Sequence, residues 1–238
     1  MVFFKFEMFH IINASILTLL AVSYICYDYY KLYFDSLKAL PADHALVQEA
    51  KKFAKKNNIQ KKFYLIPSKN VDSGSVRSTP FAQYIYLSKV YLSTSQVLNV
   101  IKNSTSINFK TDQGEIIIRC DNNKIEKLYD YIPQLTNIVN DMITCQNFII
   151  GHELSHAKEP FYINLLSRIF KRIAHKCEYD ADLLSAKSYS EQALKCFDAE
   201  IKLYKILEDV NGVKMDVDHF SHPSFAKRKL NLLAHIKD

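Results

Sequence analysis

His152, Glu153 and His156 stand together in the run Ile149-Ile150-Gly151-His152-Glu153-Leu154-Ser155-His156, behind an apolar lead-in. On an α-helix, residues four apart share a face, so His152 and His156 can offer two imidazoles to one metal ion. Glu153 falls roughly 100° round from His152. That puts it beside a metal rather than on it, where a carboxylate can take a proton from a nearby water. This is the zinc-hydrolase pattern. A surface helix could carry the same three residues idly, so the rest of the chain has to supply what such a site needs.

A tetrahedral catalytic zinc takes three protein ligands and keeps one position open. The segment Glu178-Tyr179-Asp180-Ala181-Asp182 offers the third ligand. Glu178 and Asp182 share a helix face; Glu178 can bind the metal, while Asp182 can accept the spare N–H of a ligating imidazole and fix its tautomer. The plain alternative is a solvated acidic helix start. Further on, His222-Pro223-Ser224 precedes Arg228. Pro223 suits a first helical turn and would hold His222 at a loop-to-helix junction. From there an imidazole can donate to a tetrahedral oxyanion, and Arg228 can orient the loop or an acidic partner. Ordinary capping would explain His-Pro equally well. Cys177 adjoins Glu178 and reads as a buried thiol, with a fourth ligand or a redox handle as the alternatives. His10, His44, His175, His219 and His235 match no pattern and read as structural or surface residues.

The elements that must position these groups are mostly helical. Asp43 reads as the N-cap of a helix to about Lys56, with Leu46, Val47, Ala50, Phe53 and Ala54 on one face. Phe63–Ile66 reads as a buried strand ended by Pro67, Ser68–Pro80 as a polar loop, and Tyr84-Ile85-Tyr86-Leu87 as a second strand. A short helix is expected over Ser95–Ile101. Ile107–Phe109 and Glu115–Arg119 pattern as a hairpin across Asp112-Gln113-Gly114. Helical patterning starts at Asn123 and breaks at Pro133; a new helix then runs from about Gln134 through Ala157 and stops at Lys158-Glu159-Pro160. Two more follow near Leu165–Ser188 and Ser190–Glu208, the second ended by Asn211-Gly212, and a last one spans Ser224–Ile236.

The chain of 238 residues, 48% apolar and 13% aromatic, supports a packed core and excludes a disordered chain. Five cysteines without paired spacing do not make a disulfide framework. The net charge of +6 is mild. Its densest run, Lys51, Lys52, Lys55, Lys56, Lys61 and Lys62, reads as a solvated helix face, with a contact to anionic lipid or nucleic acid as the alternative. Ile11–Tyr27 carries no charge. Extended back through Met8 it reaches about 20 residues, enough to cross a bilayer, with Tyr24, Tyr27, Tyr29 and Tyr30 as an interfacial belt. Residues 8–27 therefore read as a single-pass anchor, with residues 1–40 as anchor and linker and 41–238 as the functional domain. Lys5 on one side against Lys31 and Lys38 on the other leaves the membrane side open. A signal peptide cleaved after Ala21-Val22-Ser23, giving a secreted or periplasmic protein, and a buried helix are the alternatives.

The three motifs, in this order, resemble the HtpX-like and CAAX-prenyl-endopeptidase family of gluzincin metallopeptidases. That family places Glu-x-x-Ala-Asp after His-Glu-x-x-His, then His-Pro with an Arg six residues later. The likeness extends to Ala45–Asn57 with Phe63–Ile66, and to Phe81-Ala82 with Tyr84–Leu87. Twenty-one residues separate His156 from Glu178, fewer than is usual in the family and nearer to thermolysin-type gluzincins. Thr79-Pro80 stands where the family often has Asn-Ala. The resemblance implies an α+β, mainly helical zincin-like domain with a small antiparallel sheet, one Zn2+ per chain, and peptide, unfolded or membrane-protein substrates. It implies His152, His156 and Glu178 as ligands, Glu153 as base, His222 at the oxyanion, Asp182 and Arg228 in support, and Tyr84–Leu87 as a sheet-edge strand that pairs with substrate. No nucleic acid is expected. The rivals are a membrane-anchored interaction domain with a structural zinc, and a metal-free adaptor using the Lys51–Lys62 run.

Overall fold

Apolar residues at helical spacing dominate the chain, and the fold is accordingly a mixed α+β one, mostly helical, with a small three-stranded sheet. The computed structural model describes residues 23, 26–68, 74–79, 81–88, 106–111, 114–119, 130–212, 214 and 216–236. The apolar stretch 8–27 (apart from residues 23, 26 and 27), the helix expected over Ser95–Ile101 and the helical start at Asn123 lie outside the described residues. No helix among the described residues is long and apolar enough to cross a membrane.

The contacts divide the chain into two units, Met1–Ala39 and Leu40–Asp238. In the first, a helix over 26–36 exposes Tyr27, Tyr30 and Phe34, which recur at helical spacing.

In the second, α1 (Ala45–Lys56) buries Val47, Ala50, Phe53 and Ala54, while Lys51, Lys52, Lys55 and Lys56 face outward. Its N-cap is His44, not Asp43: the His44 Nδ1 accepts from the Leu46 amide at 3.3 Å. An imidazole nitrogen can do the work of the usual short oxygen acceptor.

β1 (Lys62–Ser68) runs through Pro67, which it tolerates because it is an edge strand. The segment Ser68–Pro80, expected as a loop, contains β2 (Gly74–Ser78). Its composition is poor for a strand, and pairing with the apolar β3 (Ala82–Ser88) carries it, from Gly74 opposite Leu87 to Ser78 opposite Gln83. Thr79 closes the turn, accepting from the Ala82 amide and donating to the Ala82 carbonyl, both at 3.0 Å.

The order β1-β3-β2 corrects two expectations. The sheet is mixed rather than antiparallel, because the β2–β3 hairpin reverses the chain and returns β3 parallel to β1. Tyr84, Ile85, Tyr86 and Leu87 therefore form the central strand, flanked on both sides, and do not offer a free edge to a substrate. Leu65, Ile85 and Leu87 are buried, as suits a sheet whose middle strand belongs to the core. β4 (Ser106–Thr111) and β5 (Gly114–Arg119) form the expected hairpin, with Thr111 opposite Gly114.

The long helix expected up to Ala157 is broken. α2 (Ile132–Thr144) carries Pro133 in its first turn and stops at Cys145, where α3 (Gln146–Ser155) begins. The Thr144 hydroxyl and the Cys145 thiol both donate to the Asp141 carbonyl, at 2.7 and 3.0 Å. That carbonyl would serve the Cys145 amide in a continuous helix; the amide bonds instead to Met142 O at 3.0 Å. A 3-10 turn (His156–Lys158) and α4 (Phe161–Ser167) follow α3. α5 (Lys171–Asn211) takes in the second expected helix and the first from Lys171 onward, the Leu165–Ser167 start belonging to α4 across a break at 168–170, and it kinks at Tyr189, the expected boundary between the two. Gly212 ends it in the left-handed region, φ 70°, donating its amide to Glu208 O at 2.7 Å. α6 (Phe225–Ile236) closes the fold.

α3 sits at the centre, packed against α1, α2, α5 and the sheet. Its residues Phe148, Ile149, Ile150 and Leu154 are all buried. Gly151 makes this closeness possible. A Cβ there would stand 2.5 Å from Ser185 Oγ and 3.1 Å from the Phe53 ring. The Ser185 hydroxyl is held in place by donating to Phe148 O at 2.6 Å. Gly151→Ala is therefore expected to destabilise the chain. Overpacking of about 1–3 kcal/mol outweighs a helix-propensity gain of about 1 kcal/mol. Thermal unfolding checks this, and an unchanged or higher Tm would show that Ser185 moves aside freely.

Candidate metal centre

One histidine from α3, one from the 3-10 turn that follows it and a carboxylate from α5 meet below the surface. The packing of α3 on α5 brings His152, His156 and Glu178 together, with a potential ligand atom of each within 4.8 Å of the others. His152 Nε2 and His156 Nε2 are 3.3 Å apart. Glu178 Oε2 lies 3.3 Å from His152 Nε2, and Glu178 Oε1 3.5 Å from His156 Nε2. A tetrahedral ion bound at about 2.0–2.1 Å separates its ligand atoms by about 3.3 Å.

The far side of each ring decides its tautomer. His152 Nδ1 lies 2.9 Å from Asp182 Oδ1, and His156 Nδ1 lies 2.5 Å from Glu159 Oε1. An ionised carboxylate only accepts, so both Nδ1 atoms carry the proton and donate. The free lone pairs then sit on the two Nε2 atoms that face each other. Glu178 Oε2 is sealed from solvent and has no hydrogen bond. With both imidazoles neutral, two lone pairs and a carboxylate oxygen surround one point, an arrangement that could hold a cation. These residues fit a divalent zinc-type ion, whose usual donors are imidazole nitrogen and carboxylate oxygen.

No protein-family model and no curated protein matches the chain.

Asp182 is fully buried and joins the centre to α6. Arg228 donates to it twice, from Nε to Oδ2 at 2.8 Å and from Nη2 to Oδ1 at 2.6 Å. The guanidinium lies 5.4 and 5.6 Å from the ring centroids of Phe197 and Phe225, and 3.4 Å from Glu178 Oε2. Burial favours a neutral Glu178, but His222, His152 and Arg228 outweigh it and hold its carboxyl well below the usual range. Asp182 is likewise depressed by Arg228 and His152 against the effect of burial.

Without a metal, burial disfavours charge on His152, yet Asp182 and Glu178 raise its pKa to about 10. His156 is raised in the same way, by Glu159 and Glu178 against burial. The sign of the pH dependence follows. The metal-free chain gains stability from protonated His152 in full below its ordinary 6.5, and loses that gain as pH climbs towards about 10. The depressed Glu178 and Asp182 contribute above their ordinary 4.5 and 3.8 and lose that contribution on acidification. A metal needs the neutral imidazole, so it competes with the proton. A chelator is therefore expected to lower Tm more at pH 8 than at pH 6. An equal effect at both would mean that metal-free His152 is already neutral.

Glu153 is buried on α3 beside His152. Its carboxylate has no hydrogen bond or ion pair to any described residue, and its oxygens are not among the sealed, unpaired atoms. Every other charged group named at this centre is engaged. His222 stands at the mouth, with a side chain 46% exposed and Nε2 3.5 Å from Glu178 Oε1. Its Nδ1 pairs with Ser221 Oγ at 2.7 Å.

Several supporting residues escape sequence reading. Glu159, read only as a helix stop, fixes His156; its signal was the three-residue spacing from that histidine. Asp216 accepts from the Phe225 and Ala226 amides at 2.8 and 3.1 Å, and Asp218 from the Ser224 amide at 3.0 Å. These caps anchor the loop that carries His222. His175, expected to be structural, bonds through Nε2 to His219 O in the same loop at 2.9 Å. Cys177 is a buried thiol whose pKa is pushed up to about 12 by burial and by Glu159, so it stays protonated at neutral pH. β2 packs on α3 and, among the described residues, pairs only with β3. It is β2, not the Tyr84–Leu87 strand, that forms the sheet edge beside the centre.

Proposed function

We propose that the chain is a zinc-dependent endopeptidase of the gluzincin type, with a zincin-like domain and an N-terminal membrane anchor, resembling the HtpX-like and CAAX-prenyl-endopeptidase family. What carries the reading is the division of labour around the centre. His152, His156 and Glu178 converge on one point, while Glu153 beside them has no partner among the described residues. A site that only held an ion would have no use for an unengaged carboxylate there.

A bound zinc ion supplies a Lewis acid that polarises a peptide carbonyl and makes a water easier to deprotonate. His152 and His156 would hold such an ion through Nε2, because Asp182 and Glu159 accept from their Nδ1–H groups. Glu153 takes the proton from the attacking water and passes it to the nitrogen of the departing amine. His222 donates from Nε2 to the former carbonyl oxygen as charge grows on it. An extended substrate can add its main chain to the edge of β2 that no described strand occupies. The reading places unfolded or membrane proteins as substrates, in keeping with the uncharged apolar stretch Ile11–Tyr27.

Elemental analysis of purified protein, run beside cleavage of an unfolded protein, tests this. One zinc per chain and chelator-sensitive cleavage are expected, and both should vanish in His156→Ala. Zinc without cleavage would instead leave a structural-zinc interaction domain. His222→Phe is expected to keep zinc and Tm but lower kcat by about 10²–10³-fold with little change in KM. Zinc loss in that variant would make His222 a ligand, and unchanged kcat would reduce it to a helix cap.

A further inference from the structure

The turn between α4 and α5 exposes two apolar side chains inside a cluster of cations. Ile169 is 61% and Phe170 52% exposed. Arg168, Lys171 and Arg172 beside them are exposed too, and none has an ion-pair partner among the described residues. Tyr162, on the helix leading into the turn, is 62% exposed. The turn is not a frayed end. The Ile169 and Phe170 amides both donate to Leu166 O, at 3.0 and 2.8 Å, and the Ile173 amide donates to Phe170 O at 3.0 Å. A fixed backbone therefore holds the apolar pair outward.

We infer that this turn docks on the surface of an anionic lipid bilayer, with Ile169 and Phe170 entering the interface and Arg168, Lys171 and Arg172 meeting the headgroups. Charge complementarity selects the lipid: three exposed cations within five residues, unpaired among the described residues, attract an anionic surface, and the apolar pair between them finds an apolar phase just beneath it. Nucleic acid would satisfy the cations but leave Ile169, which has no stacking face, in water. A second copy of the chain would bring two sets of these cations together. The same chain carries the uncharged stretch Ile11–Tyr27, so a bilayer as partner is consistent along the sequence. Glu178 lies seven residues into α5 from Lys171, about 10 Å at 1.5 Å per residue. Docking would thus set the metal centre close to the membrane surface. The inference stands on the turn alone and does not need the peptidase reading.

The chain contains no tryptophan, so Phe170→Trp in the full chain gives a single local reporter. Its emission is expected to shift to the blue and be quenched by brominated phosphatidylcholine when the vesicles also contain phosphatidylglycerol. Without the anionic lipid, neither change is expected. Adding Arg168→Gln, Lys171→Gln and Arg172→Gln should weaken docking on the order of 100-fold, at about fivefold per cation. Circular dichroism controls for folding of these surface variants. An N-terminal anchor would hold the chain on both kinds of vesicle, but only local docking changes the reporter. A solvent-exposed reporter on anionic vesicles would overturn the inference. So would quenching indifferent to lipid charge and to the three substitutions, or a shift produced by nucleic acid, by an acidic polypeptide or by protein concentration alone.

Discussion

Replacing Glu153 by Gln is expected to lower peptide hydrolysis by about 10²–10⁴-fold while zinc content and melting temperature stay at wild-type values. The amide matches the carboxylate in size and keeps its place on α3, so packing is preserved. It cannot accept a proton at neutral pH, so the attacking water keeps its own. No described residue bonds to the Glu153 carboxylate, so the substitution breaks no ion pair and leaves no buried charge stranded. A loss of stability would therefore point to a structural role. The loss should fall on kcat and kcat/KM alike, as it does when an interaction is made only in the transition state. Retained turnover would remove Glu153 as the base and reopen the structural-zinc reading.

The candidate centre was legible where chemistry follows from local spacing. His152 and His156 share one helix face because four residues make about one turn, and Glu178 with Asp182 repeats that rule on α5. What sequence could not show is set by contacts between distant segments. β2 exists because β3 offers a partner, so Gly74–Ser78, with one apolar residue, read as a loop. The same blindness made Tyr84–Leu87 an edge: its place in the middle depends on β1 lying on its far side, in parallel. The break at Cys145 turns on which groups take the Asp141 carbonyl, a competition that apolar periodicity does not register. Tyr189 was legible as a boundary between two helical patterns, but not as a kink that sets its ring against Phe53, with centroids 5.8 Å apart. Arg228 was visible only as a companion to His-Pro. Its two bonds to Asp182 depend on α6 crossing α5.

That Asp182–Arg228 pair carries the largest effect on stability. Both groups are buried and charged, and each is the other's main compensation. Asp182→Ala is expected to cost about 3–5 kcal/mol, because it takes both hydrogen bonds from the buried guanidinium and leaves it only Glu178 as a counter-charge. It also frees His152 Nδ1 to change tautomer, so zinc affinity should fall about 10–100-fold. Arg228→Met fills similar volume without the charge. It should cost a comparable amount, since Asp182 would then face only His152. The double variant distinguishes a coupled pair from two independent losses. If the cost of each single variant is the stranded partner, removing both should cost much less than the sum, leaving a large interaction energy in the cycle. Zinc affinity should stay low in the double variant, because no acceptor remains to hold His152. Chemical denaturation with competitive zinc titration measures both quantities on the same four proteins. Additive stabilities would mean that each charge already has enough compensation elsewhere, Arg228 from Glu178 and Asp182 from His152. Recovered zinc affinity in the double variant would mean that Asp182 does not orient His152.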